Sequence, residues 1–576
     1  EPVDGQAPPY EVAAALPGGD PLAAAVAAGE TPSPKMVAAS GRQEGLRPFQ
    51  AWAIFASIVL VIAAVSWIFN PSAISGTALQ QSPEGLAHTA RDVLRGIGHA
   101  TPPADSAFGL EVDQDVRFWN RRRPTEPAKS VSDLVHFWYR ESPETLMPRS
   151  LHPVGPIYAL PATRVSEKDP PPLVPGMRSI RLDPSNEQLR EFHIVPLPVT
   201  EPSEAPPDWD FVLKKAGLDP QTLTPQSTVP AGQQVAWTGT WPGRPDLFLR
   251  VEGAAQGGMP IYFKVFGPWT GSTPASEPIQ DLLTITVVAF VIITGSALAW
   301  RNLKDGRGDR RGAFRLALFA FASLMLAWIC GSTHGFHREE LNLFLAALGE
   351  ALYWSVLAGV LYLAVVPFVR KRWPHALISW NRILEGRFGD SLAGRDVLVG
   401  ISFAAAVCVV RTGLRFVDPT PRPYVESDIL QAMQSATQAL SFLASKFFDS
   451  ANVSISLFFL FCFLRAVLRN QWIAIVVWIA LLNGLTRDLE IIGSPVVIAF
   501  GGLWLLAVMK FGLTAGIAMW FADRILRIEN MLPPKGWLAE NYYLLLVAVT
   551  ALALYAFVKS MGKHRAFEFT LMDAKE

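Results

Sequence analysis

The chain has 576 residues; half are hydrophobic, only 17% are charged, and Lys+Arg and Asp+Glu each number 50. Zero net charge excludes a nucleic-acid binder that depends on a basic surplus. Soluble domains average about 25% charged residues, so the low charge and a mean hydropathy of +0.25 argue against a wholly soluble protein. Cys330, Cys408 and Cys462 each lie in an apolar run and supply neither a disulfide framework nor a CxxC metal site.

Residues 1–50 carry acids, prolines and alanines and do not resemble a signal peptide. A chain that opens on Glu1 is expected to be a fragment or a processed product. Ala51–Phe69 is an uncharged run of nineteen residues. A helix of that length covers about 28 Å, close to the hydrocarbon thickness of a bilayer. Residues 70–280 offer no further span. Apolar runs resume near 281–300, 313–331, 341–369, 396–413, 451–468, 471–486, 492–509, 511–527 and 541–558.

The pattern predicts a mainly α-helical polytopic membrane protein of about ten transmembrane helices with an inserted extracytoplasmic α+β domain. Its parts are a cytoplasmic juxtamembrane linker (1–50), a first span (51–69), the inserted domain (70–280), a multi-span domain (281–558) and a cytoplasmic tail (559–576).

Orientation follows from the short loops, because Lys and Arg favour the cytoplasmic side. Arg301, Lys304, Arg307, Arg310, Arg311 and Arg315 crowd one loop, and Arg370, Lys371, Arg372, Arg382, Arg387 and Arg395 crowd another two spans later. Both should face the cytoplasm, with the N-terminus inside and residues 70–280 outside. Ten spans rather than nine also leave Lys559, Lys563 and Arg565 inside.

Within the inserted domain, Ser82–Gly98 reads as a capped helix. Residues 177–196 read as strand, turn, strand, and 208–216 as a short helix closed by Gly217. Leu247–Gly253 and Pro260–Phe266 read as a second hairpin. Phe137-Trp138-Tyr139 either pack a core, the default for aromatics, or line a ligand pocket.

Two groups carry candidate chemistry. His334, His337 and Glu339, with Glu340, cluster in a short loop between spans. Structural zinc asks for four ligands, and zinc proteases set two histidines four apart on a helix. Here the spacing is three, in a loop, so a solvated loop is the default reading. Glu350 lies inside a span, and Arg411 lies near the end of another. An intramembrane carboxylate is costly, so Glu350 is either half of an ion pair with a basic partner or a proton, ion or ligand site. None of the nine histidines falls deep in a predicted span, which removes the usual base of an intramembrane protease.

Several strings together resemble the region that follows the catalytic domain in eukaryotic-like (Hanks-type) bacterial serine/threonine protein kinases. They are EVAAALPGGDPLAAAVAAGETPSPKMVAASG (11–41), FWYRESPETLMPRS (137–150), PPPLVPGMRSIRLDP (170–184), WTGTWPGRPDLFLRVEGAAQGGMPIYFKVFGPW (237–269), RNLKDGRGDRRGAFRLALF (301–319), VRKRWPHALISWNRILEGRFGDSLAGRDVLVG (369–400) and FLRAVLRNQW (463–472). Their number and order carry the resemblance; none is catalytic. The Gly-rich loop, HRD, DFG and APE motifs are absent, so no catalytic residue carries over. The resemblance implies a sensor and membrane region that relays an envelope or ligand signal to a cytoplasmic kinase domain. Implied partners are the lipid bilayer, its own or a partner kinase domain, an extracytoplasmic ligand and a second copy, with no nucleic acid. No cofactor is implied in this chain, since ATP and Mg belong to the kinase domain. A standalone transporter or channel is the alternative; a membrane-bound enzyme acting on lipid or peptidoglycan through the outer domain is a third, which Ser or Asp clustered with His136 or His193 in a cleft would favour.

Overall fold

The computed structural model describes residue 37 and residues 45–68, 81–122, 134–149, 164–197, 206–226, 234–272, 278–335, 338–417, 426–485, 493–530 and 537–562. Most of the expected 1–50 linker and 559–576 tail lies outside them. A first helix, α1 (Pro48–Ile68), leads to a sheet domain, and a helical bundle follows.

The sheet domain begins with α2 (Pro83–Gly96). Ser82 caps it by accepting from the Gly85 N–H (3.2 Å), as its Ser-Pro-Glu start requires. Then come β1 (Asp105–Val112), α3 (Gln114–Arg122), β2 (Val135–Ser142), β3 (Arg178–Leu182), β4 (Leu189–Ile194), α4 (Trp209–Lys215), β5 (Thr224–Gln226), β6 (Gln234–Trp241), β7 (Arg244–Gln256) and β8 (Met259–Phe266). All eight strands form one antiparallel sheet in the order β1-β2-β3-β4-β8-β7-β6-β5. The hairpin expected over 177–196 is β3–β4. The second expected hairpin is β7–β8, which turns through Gly257 and Gly258 at φ +56° and +77°, angles that suit a primed two-residue turn.

The bundle comprises α5 (Pro278–Lys304), α6 (Arg310–Gly331), α7 (Arg338–Arg372), α8 (Ile378–Leu384), α9 (Ser391–Val417), α10 (Ser427–Ala432), α11 (Ala436–Leu468), α12 (Gln471–Leu485), α13 (Gly493–Lys510), α14 (Leu513–Leu526) and α15 (Leu538–Ser560). The expectation of about ten spans is corrected here. Among the described residues six helices are long and apolar enough to cross a membrane: Leu282–Lys304, Arg310–Gly331, Arg338–Arg372, Ser391–Leu414, Ala436–Leu468 and Leu538–Ser560. The apolar runs elsewhere form shorter helices, Pro48–Ala64, Gln471–Leu485 and Pro495–Lys510. The fourteen residues of α14 rise about 21 Å, short of a hydrocarbon core near 30 Å. The chain is thus a polytopic helical membrane protein with a separate antiparallel sheet domain.

Helix ends alternate between a sheet end and a far end. At the far end the Leu46 N–H donates to the Ser560 carbonyl (2.7 Å), Arg370 to the Arg307 carbonyl (2.8 Å) and Arg315 to the Leu384 carbonyl (2.8 Å). The two Arg-rich loops therefore meet at one end. At the sheet end the Trp537 indole donates to the Gln81 carbonyl (2.9 Å).

Candidate functional site

Strand alternation divides the sheet into two chemically different faces. One presents Leu110, Phe137, Ile180, Leu182, Phe192 and Phe263, all buried. α2 packs across β1, β2 and β3 on this side, and Trp209 of α4 meets Trp237 at 5.9 Å. Arg91 of α2 donates to the Tyr139 hydroxyl (2.7 Å), which donates to Glu141 (2.8 Å), which pairs with Arg178 (2.9 Å). Phe137, Trp138 and Tyr139 are all buried, so these aromatics pack the core rather than line a pocket.

The opposite face carries charge on neighbouring strands: Glu111 on β1, His136 on β2, Arg181 on β3, Glu191 on β4 and Lys264 on β8. Arg140 and Trp138 on this face are covered. Arg140 donates to the Ser166 carbonyl (2.8 Å), and Trp138 packs with Leu146, Val165 and Met177. What stays open is a cleft whose wall includes His136, Arg181, Arg190, Lys264, Trp241 and Trp269, joined by Asp113, Asp115, Asp183 and Glu191.

Ion pairs pin its basic groups: Arg190 to Asp183 (2.8 Å), Arg181 to Glu191 (3.2 Å) and Lys264 to Glu191 (3.0 Å). Asp113 starts α3 by accepting from the Asp115 and Val116 N–H groups (2.9 and 3.2 Å). Trp241 and Trp269 meet edge to face at 4.8 Å, with the Arg190 guanidinium over Trp241 at 5.1 Å. Charges of both signs beside two indoles suit a polar ligand that carries charge or a stacking face.

On the inner wall Arg181 makes a two-pronged pair with Glu167, its Nη2 donating at 2.7 Å. His136 Nε2 lies 3.4 Å from Glu167. Burial favours the neutral acid, but His136 and Arg181 together hold the Glu167 carboxyl well below the usual range. Glu111, His136 and Glu167 are the one group of three among the described residues whose ligand atoms all lie within 4.8 Å of one another.

The predicted metal loop is arranged differently. His334 Nδ1 contacts Glu340 (2.7 Å) and Nε2 the Ile329 carbonyl (3.0 Å), so both ring nitrogens are engaged. Glu339 is exposed, and His337 lies outside the described residues. Glu350 and Arg411 have different partners. Glu350 accepts from the Trp354 indole (3.5 Å), whereas Arg411 of α9 pairs with Asp523 of α14.

Asp523 also receives Arg527 (3.1 Å), and Arg527 reaches Glu426 (3.1 Å) just before α10. Asp428 of α10 pairs with Lys446 of α11 (2.7 Å). The same short segment holds the sheet domain. Gln434 accepts from the Leu110 N–H (3.0 Å) and donates to the Leu110 carbonyl (3.0 Å). The Gln431 amide, with its oxygen turned inward, accepts from Arg164 Nε (3.2 Å). These glutamines and Asp523 carry no motif. Polar residues beside apolar runs were the available signal, and the partners stand about a hundred residues or more away in sequence.

Comparison with family models, with curated proteins and with solved structures finds no match.

Proposed function

We propose that this chain is the membrane and sensor region of a bacterial receptor-like serine/threonine protein kinase. In this reading the sheet domain lies outside the cytoplasmic membrane and samples a ligand in its charged cleft. The Arg-rich far end lies inside, which accords with the charge bias of cytoplasmic loops. The six long apolar helices cross the bilayer. The kinase domain that receives the signal, and the ATP and Mg it uses, belong to the cytoplasmic side. The kinase assignment rests on the ordered strings described above.

The observation that carries the relay is the double role of residues 426–434. Gln431 and Gln434 grip the sheet domain, while Glu426 and Asp428 are ion-paired to the bundle. A ligand that shifts β1 or Arg164 therefore acts on groups that hold α11 and α14, as a relay between two packings requires.

The test uses the protein purified from membranes with its attached or associated kinase and reconstituted in vesicles. Phosphotransfer from ATP should change by about fivefold or more in Gln434→Ala, the scale of a typical coupling energy. Absence of any associated phosphotransfer, together with solute flux that Glu350→Gln abolishes, overturns the reading in favour of a transporter or channel.

A further inference from the structure

His136 and Glu111 stand directly opposite each other across β1 and β2, so their side chains leave the sheet on one face. Glu167 meets them from the 164–170 segment. Ligands about 2.1 Å from one ion stand roughly 3.4 Å apart. A set within 4.8 Å thus needs only small side-chain rotations to close on an ion.

The imidazole is the decisive group. His136 Nε2 faces Glu167 at 3.4 Å, while the buried Nδ1 has no hydrogen-bond partner among the described residues. A buried polar atom left so is costly, and coordination would satisfy it. The cleft wall carries Asp113, Asp115, Asp183 and Glu191 against Arg181, Arg190 and Lys264, and the carboxylates of Glu111 and Glu167 stand beside it.

We infer that Glu111, His136 and Glu167 form a binding site for a divalent first-row transition-metal cation, of which Zn²⁺ fits best. One imidazole and two carboxylates suit such ions, whereas Ca²⁺ and Mg²⁺ favour oxygen-only ligands. On binding, Glu167 turns from Arg181, which keeps Glu191. Glu111 turns from the half-buried Arg164 that acts on it electrostatically and that also reaches Gln431. The cation site therefore adjoins the relay. It depends on the receptor reading only for its consequence, that the cation is a ligand the sheet domain reports.

The experiment is titration of the full chain in detergent with Zn²⁺ alone, read by calorimetry and by metal content after dialysis, with X-ray absorption at the zinc edge. The expected result is one Zn²⁺ per chain with one imidazole in its shell. Binding should weaken at least about tenfold in His136→Ala and in Glu111→Gln and stay unchanged in His334→Ala. Undiminished binding in His136→Ala and Glu111→Gln, loss only in His334→Ala, or a zinc shell without imidazole overturns the site. Near-ultraviolet circular dichroism of each variant separates lost ligation from lost fold. Spin-label distances between the sheet domain and α11 are read in the same samples. Zinc binding without a distance change supports the site and removes the cation as the receptor's ligand. Absence of zinc binding overturns the site and leaves the kinase test untouched.

Discussion

His99 follows α2, and its Nε2 sits 3.1 Å from the Pro260 carbonyl at the start of β8, so the neutral ring donates from Nε2. Burial, and then the Arg178 guanidinium, hold its pKa below the ordinary 6.5. The unfolded chain therefore takes up a proton at this position before the folded one does. The stabilising contribution is complete above pH 6.5 and is lost as pH falls through the folded value. Melting of the sheet domain, followed by tryptophan fluorescence, should drop more steeply from neutral to about pH 5 in the wild type than in His99→Gln, which keeps a donor without the titration. Identical pH profiles would sink this assignment. At the same scale, the sequence offered His136 as a candidate cleft residue but no partner for it. Its cross-strand partner Glu111 became identifiable only through the register.

Among elements, the tightest approach is α9 against α14. A Cβ added at Gly400 would run into the Ala515 carbonyl and sit 2.9 Å from Ala518 Cβ and 3.0 Å from the Met519 nitrogen. Small residues let helix backbones approach this closely in membranes. Gly400→Ala should lower stability by about 1–3 kcal/mol, as overpacking does. Gly413→Ala, where nothing lies within 4 Å on the same helix, should leave it unchanged or raise it. Thermal melts in detergent compare the two, and equal effects would mean the helices can simply slide apart. The approach also brings Arg411 of α9 to Asp523 of α14. The run at 511–527, expected to be one more span, carries Asp523 and Arg524. The structure gives it fourteen residues and an ion network at its end. Breaking one member of such a buried pair costs more than the pair contributes, because the remaining charge stays buried.

Across the whole molecule, the sheet end and the far end separate the loops into two sets. Arg307 lies at the far end, and Thr333 lies between α6 and α7, at the opposite end of α6. With Cys330, Cys408 and Cys462 replaced, Thr333→Cys should react in intact cells with a membrane-impermeant maleimide. Arg307→Cys should react only after permeabilisation. The reverse pattern would invert the proposed orientation, and labelling of both in intact cells would remove α6 as a span.

Composition and apolar run length by themselves determined that the chain is a polytopic helical membrane protein and where its long helices lie, because bilayer depth forces backbone hydrogen bonds to close within a helix. Local signals also determined the Ser82 cap, the short helix before Gly217 and the β3–β4 and β7–β8 hairpins, since caps and turns depend on near neighbours. Tertiary structure alone decided the eight-strand order, the separation of an apolar from a charged sheet face, and the meeting of Glu111, His136 and Glu167. It also decided that Arg411 binds Asp523 rather than Glu350 and that Gln434 joins β1 to the bundle. These pairings span from about two dozen to more than three hundred residues of chain. No periodicity encodes them; they exist only where packing brings distant polar groups out of water together and obliges them to satisfy one another.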